Sequence, residues 1–82
     1  MITVFIAPLG SAPEQYNVKP SDNVSVLKAM IFENKGLDGR DYELIYREKR
    51  FDDYVPLDAY YLEDGSKIHL VLKTETTNLN WF

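Results

Sequence analysis

His69 is the only histidine in the chain, and there is no cysteine. Those two facts remove most chemistry at once. No thiol nucleophile, disulfide or thiolate zinc site can form. A lone imidazole with no second histidine beside it makes a poor ligand set, so neither a metal site nor a cofactor is expected. No Ser-His-Asp arrangement is evident from the spacing around His69. Without a cofactor motif, a cysteine or a convincing acid–base cluster, an enzyme is the least favoured reading.

The remaining charge points away from nucleic acid. The chain has 82 residues and a formal net charge of −4, whereas phosphate binding needs clustered Lys and Arg. Its nearest basic stretch, Arg47-Glu48-Lys49-Arg50, is short, interrupted by a carboxylate, and reads as a solvated turn. A hydrophobic fraction of 45% and a charged fraction of 27% fit a single globular domain whose core must be well packed. The start, Met1-Ile2-Thr3-Val4-Phe5-Ile6, has no basic region of a leader peptide, and no apolar run approaches the roughly 20 residues of a membrane helix. No membrane association is expected. The lack of cysteine agrees with a reducing compartment, so a cytoplasmic or nuclear setting is expected.

The elements that must position these residues follow from local pattern. Thr3 to Ala7 is β-branched and aromatic, a strand; Pro8-Leu9-Gly10-Ser11-Ala12-Pro13 must turn; Tyr16-Asn17-Val18 alternates like a returning strand. Ser21-Asp22-Asn23 offers side-chain oxygens to cap a helix, and Val24, Leu27 and Ile31 then share one face. Gly36 suits a left-handed cap, so the helix is expected from about residue 24 to about residue 35. Tyr42 to Tyr46 reads as a third strand, Arg50-Phe51 as a short fourth, and the stretch up to Gly65 as a loop with one helical turn. Lys67 to Lys73 is the clearest strand. Its apolar residues fall on both faces, which suggests a central position. The expected class is α+β, a mixed sheet of about five strands with one helix packed across it.

This order, with Pro20-Ser21-Asp22 before the helix, Lys28-Ala29 within it, Gly36 closing it, Leu44-Ile45 in the third strand and His69-Leu70-Val71-Leu72 in the last, resembles the ubiquitin family and its β-grasp fold. The resemblance runs in constant register over residues 1–73, which implies a ubiquitin-like domain there and a C-terminal tail over 74–82. In that family an exposed Leu, Ile, His and Val form an apolar patch that most receptors grip. The matching residues are Leu9, Ile45, His69 and Val71. Ile45 and Val71 are expected on adjacent strands, on the face opposite the helix, where an apolar cluster marks an interaction site. His69 would be a polar tip on the rim, and protonating it would weaken apolar docking.

Lys28 and Asp53 match a second feature of the family, a helix lysine whose ammonium pairs with an aspartate from the loop after the fourth strand. The pair is read as structural, because a buried charge left alone is costly. The departures bear on function. Joining to a target requires a terminal Gly-Gly in this family, and residues 74–82 contain no glycine. Glu43 replaces an arginine that faces the activating enzyme. Matching positions for most linkage lysines hold Ala7, Ala12, Met30, Asn34 and Asp64, leaving Lys28 and Lys49.

One feature is extra. Val26 and Met30 are four residues apart on a helix flank where the family is polar, and Phe32 points to the opposite flank. With Trp81 and Phe82 of the tail they form a candidate secondary contact. The leading expectation is a non-conjugatable interaction module, monomeric, that docks onto ubiquitin-binding domains or proteasomal receptors. The alternatives are a covalent modifier or sulfur-carrier relative, and a module that self-associates through its aromatic tail.

Overall fold

A computed structural model describes residues 1–8 and 10–73. Leu9 and the segment 74–82 lie outside the described residues. The chain runs through β1 (Ile2–Pro8), β2 (Glu14–Val18), α1 (Val24–Lys35), a 3₁₀ turn (Gly39–Asp41), β3 (Tyr42–Tyr46), β4 (Lys49–Arg50), a second 3₁₀ turn (Leu57–Tyr60) and β5 (Ser66–Leu72). The five strands form one sheet in the order β2-β1-β5-β3-β4. Its middle pair, β1 and β5, is parallel, and the other pairings are antiparallel. A parallel pair needs a long crossover, and here that crossover carries β2, α1, β3 and β4. This is the mixed β-grasp sheet with one helix across it.

Strand alternation decides which face is dry. Val4 and Ile6 of β1, Tyr42 and Leu44 of β3, and Ile68 and Leu70 of β5 point under α1, which returns Val24, Leu27 and Ile31. Each such side chain contributes about 1.5–3 kcal/mol by leaving water. Truncating Leu27 or Ile31, both almost fully buried, would cost about 2–5 kcal/mol.

Both ends of α1 are explained by backbone chemistry, though one differs from expectation. Asn23 is the N-cap but makes no side-chain capping bond. Val24 N–H donates to Val55 O at 3.1 Å and Ser25 N–H to Asp53 O at 3.0 Å. The loop before the second 3₁₀ turn therefore satisfies the helix start, and the Asn23 side chain is not needed. Gly36 closes the helix at φ 74°, its N–H donating to Phe32 O at 2.7 Å, a conformation glycine adopts without a Cβ penalty. The single helical turn expected before Gly65 is the segment Leu57–Tyr60. The turn at Gly39–Asp41 is an addition to the expected elements. No helix of the described residues is long and apolar enough to cross a membrane.

Candidate interaction surface

The sheet face opposite α1 carries the outward residues of every strand. Because β5 is central, His69 has a neighbour on both sides: Ala7 on β1 and Ile45 on β3 are its register partners. Ile45 in turn faces Arg50 on β4. Adjacent strands lie about 4.8 Å apart, so Ala7, His69 and Ile45 span about 10 Å in one row. Val71 is two residues beyond His69 on the same face, 45% exposed and opposite Glu43. His69 is exposed and Ile45 half-buried. The structure therefore brings Ile45, His69 and Val71 together on one solvent-facing stretch of the sheet. Leu9, the fourth expected member, lies outside the described residues.

The apolar area is wider than those residues. Beside Val71 a shallow groove passes between the end of β5 and the turn after β1, lined by Ala7, Pro8, Pro13 and Leu72. Leu72 has the parity of the buried Ile68 and Leu70, yet it is 46% exposed at the end of the strand. Neither Ala7 nor Leu72 is among the residues that the sequence assigns to the patch. For Leu72 the usable signal is its position as the last residue of the strand.

Charge frames the patch. Glu43 Oε1 and Arg50 Nε are 3.4 Å apart on the β3–β4 side, which is a loose ion pair. The β3–β4 hairpin closes through Arg47 and Glu48, both at positive φ (53° and 69°), in the two-residue geometry that matches strand twist. Arg47, Glu48, Lys49 and Arg50 are all exposed, so the basic stretch is a solvated turn, as expected.

The Lys28–Asp53 pair exists, with Nζ and Oδ1 2.7 Å apart. The lysine side chain is 13% exposed, its ammonium also donating to Gly39 O at 3.4 Å and lying 5.5 Å from the Tyr42 ring centre. Asp53 is 46% exposed, which corrects the expectation of a deeply buried pair. Its carboxylate keeps water when Lys28 is removed, and the cost of breaking the pair falls accordingly.

The helix flanks also sort differently from expectation. Val26 is 38% exposed, but Met30 is half-buried and packs against the core. The more exposed apolar group is Phe32, at 56%. Trp81 and Phe82, expected to meet Val26 and Met30, lie outside the described residues. Near Phe32, Asp38 accepts from Arg40 N, Nε and Nη2 at 2.9, 3.2 and 3.0 Å. The Arg40 side chain and then its backbone N–H hold the Asp38 carboxyl down at about 2.

With this geometry established, comparison with known proteins agrees with the fold. The model of the ubiquitin family matches residues 5–75. Ubiquitin-like protein 1 of Schizosaccharomyces pombe is 36% identical over 58 residues, covering 71% of this chain and 74% of that protein. Ubiquitin-like protein NEDD8 of Dictyostelium discoideum is 31% identical over 58 residues, covering 71% of this chain and 75% of that protein. The chain belongs to the ubiquitin family.

Proposed function

We propose that this chain is a ubiquitin-like protein-interaction module, not itself an enzyme, that docks through Ile45, His69 and Val71 onto ubiquitin-binding domains or proteasomal receptors. The observation that carries this reading is the register of β3 and β5. It sets an apolar pair beside a single imidazole on the solvent face of a sheet whose other face is fully used by the core. Apolar side chains in that position cannot add to the core and are available to a partner. A cytoplasmic or nuclear setting goes with this proposal.

The module acts without being joined to a target. Support comes from Glu43, a carboxylate where the family resemblance calls for an arginine. Titrating the isotopically labelled chain with a ubiquitin-binding domain tests the docking. Amide shifts should centre on Ala7, Ile45, His69 and Val71, and a shift map that avoids them would refute it. An ATP-dependent thioester assay with activating enzyme tests the second part, and a charged chain would favour the covalent-modifier alternative.

A further inference from the structure

We propose that Lys67 and Glu43 fix the orientation of the partner on this face, which carries a carboxylate towards Lys67 and a lysine or arginine towards Glu43. This rests on the docking proposed above and adds the chemistry of its occupant.

Strand alternation and register put three charged strand residues on the solvent face: Glu43 on β3, Arg50 on β4 and Lys67 on β5. Lys67 lies two residues before His69, and Glu43 faces Val71, two residues after it. With about 3.3 Å per residue along a strand and about 4.8 Å between strands, the Cα atoms of Lys67 and Glu43 are roughly 14 Å apart. The midpoint of that line falls between His69 and Ile45. Opposite charges therefore stand at opposite ends of the patch, with its apolar centre between them.

Neither charge is fully answered within the chain. The Lys67 side chain is exposed and makes no hydrogen bond or ion pair among the described residues. Its register partner on β1 is the half-buried Phe5, an apolar neighbour for the aliphatic stem. The Glu43 side chain is 29% exposed, and the 3.4 Å to Arg50 Nε exceeds the roughly 2.7–2.9 Å of a tight charge-assisted bond. Arg50 is 71% exposed and faces mainly water.

A partner that covers Val71 also displaces water from Glu43 across the strand pair. Drying that carboxylate without a new donor is costly, and a partner carboxylate beside it is worse, whereas a lysine or arginine offsets the loss. The sign is reversed at the Lys67 end. A segment laid the wrong way round thus meets like charge at both ends. The chain's net charge of −4 does not decide the matter, because charges beyond about 8 Å are largely screened at physiological salt and the contacting groups dominate.

The test titrates the full chain with one intact ubiquitin-binding domain whose docking surface bears both a carboxylate and a lysine. Lys67→Glu and Glu43→Lys should each weaken binding by roughly fivefold or more, and the neutral Lys67→Gln and Glu43→Gln by less. These differences should shrink in about 0.5 M salt. An unchanged amide spectrum away from each substitution checks that the variants fold. A nitroxide beside the domain's carboxylate should broaden the amides of Phe5 and Lys67 more than those of Glu43 and Val71, and one beside its lysine should do the reverse. If Ile45→Ala weakens binding while both charge reversals leave Kd within about twofold, or if the nitroxide patterns are uniform or inverted, the polarity is overturned and the docking stands. If Ile45→Ala has no effect either, the docking itself falls, and this inference with it. Shifts of Ile45, His69 and Val71 that grow with concentration in the chain alone would assign the face to a second copy and overturn its assignment to a separate partner.

Discussion

Ile45 and His69 face each other directly across β3 and β5, so an aliphatic side chain and the chain's only imidazole share one point on the solvent face of the sheet. Val71 lies diagonally from Ile45 and directly across from Glu43. A partner that covers Ile45 must therefore also cover His69, and it meets a carboxylate at the Val71 end.

Ile45→Ala is expected to weaken a patch-reading partner by about 2 kcal/mol or more, roughly 30-fold in Kd, because central interface residues dominate affinity. The fold should survive, since Ile45 lies on the face opposite the core. Calorimetric titration with a ubiquitin-binding domain, paired with a thermal melt, separates the two effects. Unchanged affinity would remove Ile45 from the interface.

Lys28→Ala is expected to cost about 1–2 kcal/mol, less than a fully buried pair would. Most of that loss comes from the stem packed on Gly39 and Tyr42. Asp53→Asn should cost less than Lys28→Ala, since Asp53 is half in water and the amide oxygen of the variant still accepts a hydrogen bond. Urea unfolding of both single variants and the double variant measures the coupling. A coupling energy above about 3 kcal/mol would show that water does not reach the pair.

The elements that a local pattern can specify are legible from the residues, and the long-range ones are not. Leu44 and Tyr46, alternating with Ile45, already place Ile45 outward on β3, as Ile68 and Leu70 do for His69 and Val71. Val24, Leu27 and Ile31 define the buried face of α1, and Gly36 marks its end. The helix start escapes local reading because its acceptors, Asp53 O and Val55 O, come from about thirty residues away. The hairpin at Arg47-Glu48 carries no glycine or asparagine to announce two left-handed residues, and only the strand pairing on either side imposes them. Met30 reads as a surface residue in the sequence because helical spacing sets its angle but not how far the sheet extends beneath it.

Asp38 gives a pH signature local to the turn at Gly39–Asp41. Its carboxyl is held at about 2, below the ordinary 3.8, so the folded chain binds that proton less tightly than the unfolded chain. The contribution is therefore full above about pH 4 and is lost as pH falls towards 2. Carboxyl carbon shifts should show an Asp38 midpoint near 2 that rises in Arg40→Gln. High salt should raise it too, because the pair is exposed. A midpoint unaffected by Arg40→Gln would mean that Arg40 is not its cause.

Tyr42 gives the opposite signature at the alkaline end. It is fully buried, and its hydroxyl has no hydrogen-bond partner among the described residues. Burial pushes its phenol up to about 12 from the ordinary 10.0, so the folded chain holds the proton more tightly than the unfolded chain. That contribution is full below about pH 10 and is lost as pH rises towards 12. Tyr42→Phe deletes an unpaired polar atom and keeps the ring that Lys28 overlies. Its stability at neutral pH should match the parent or exceed it by up to about 1 kcal/mol. Above pH 10 its unfolding midpoint should fall less steeply than the parent's. A loss of about 1–3 kcal/mol at neutral pH would show instead that the hydroxyl makes a hydrogen bond in solution.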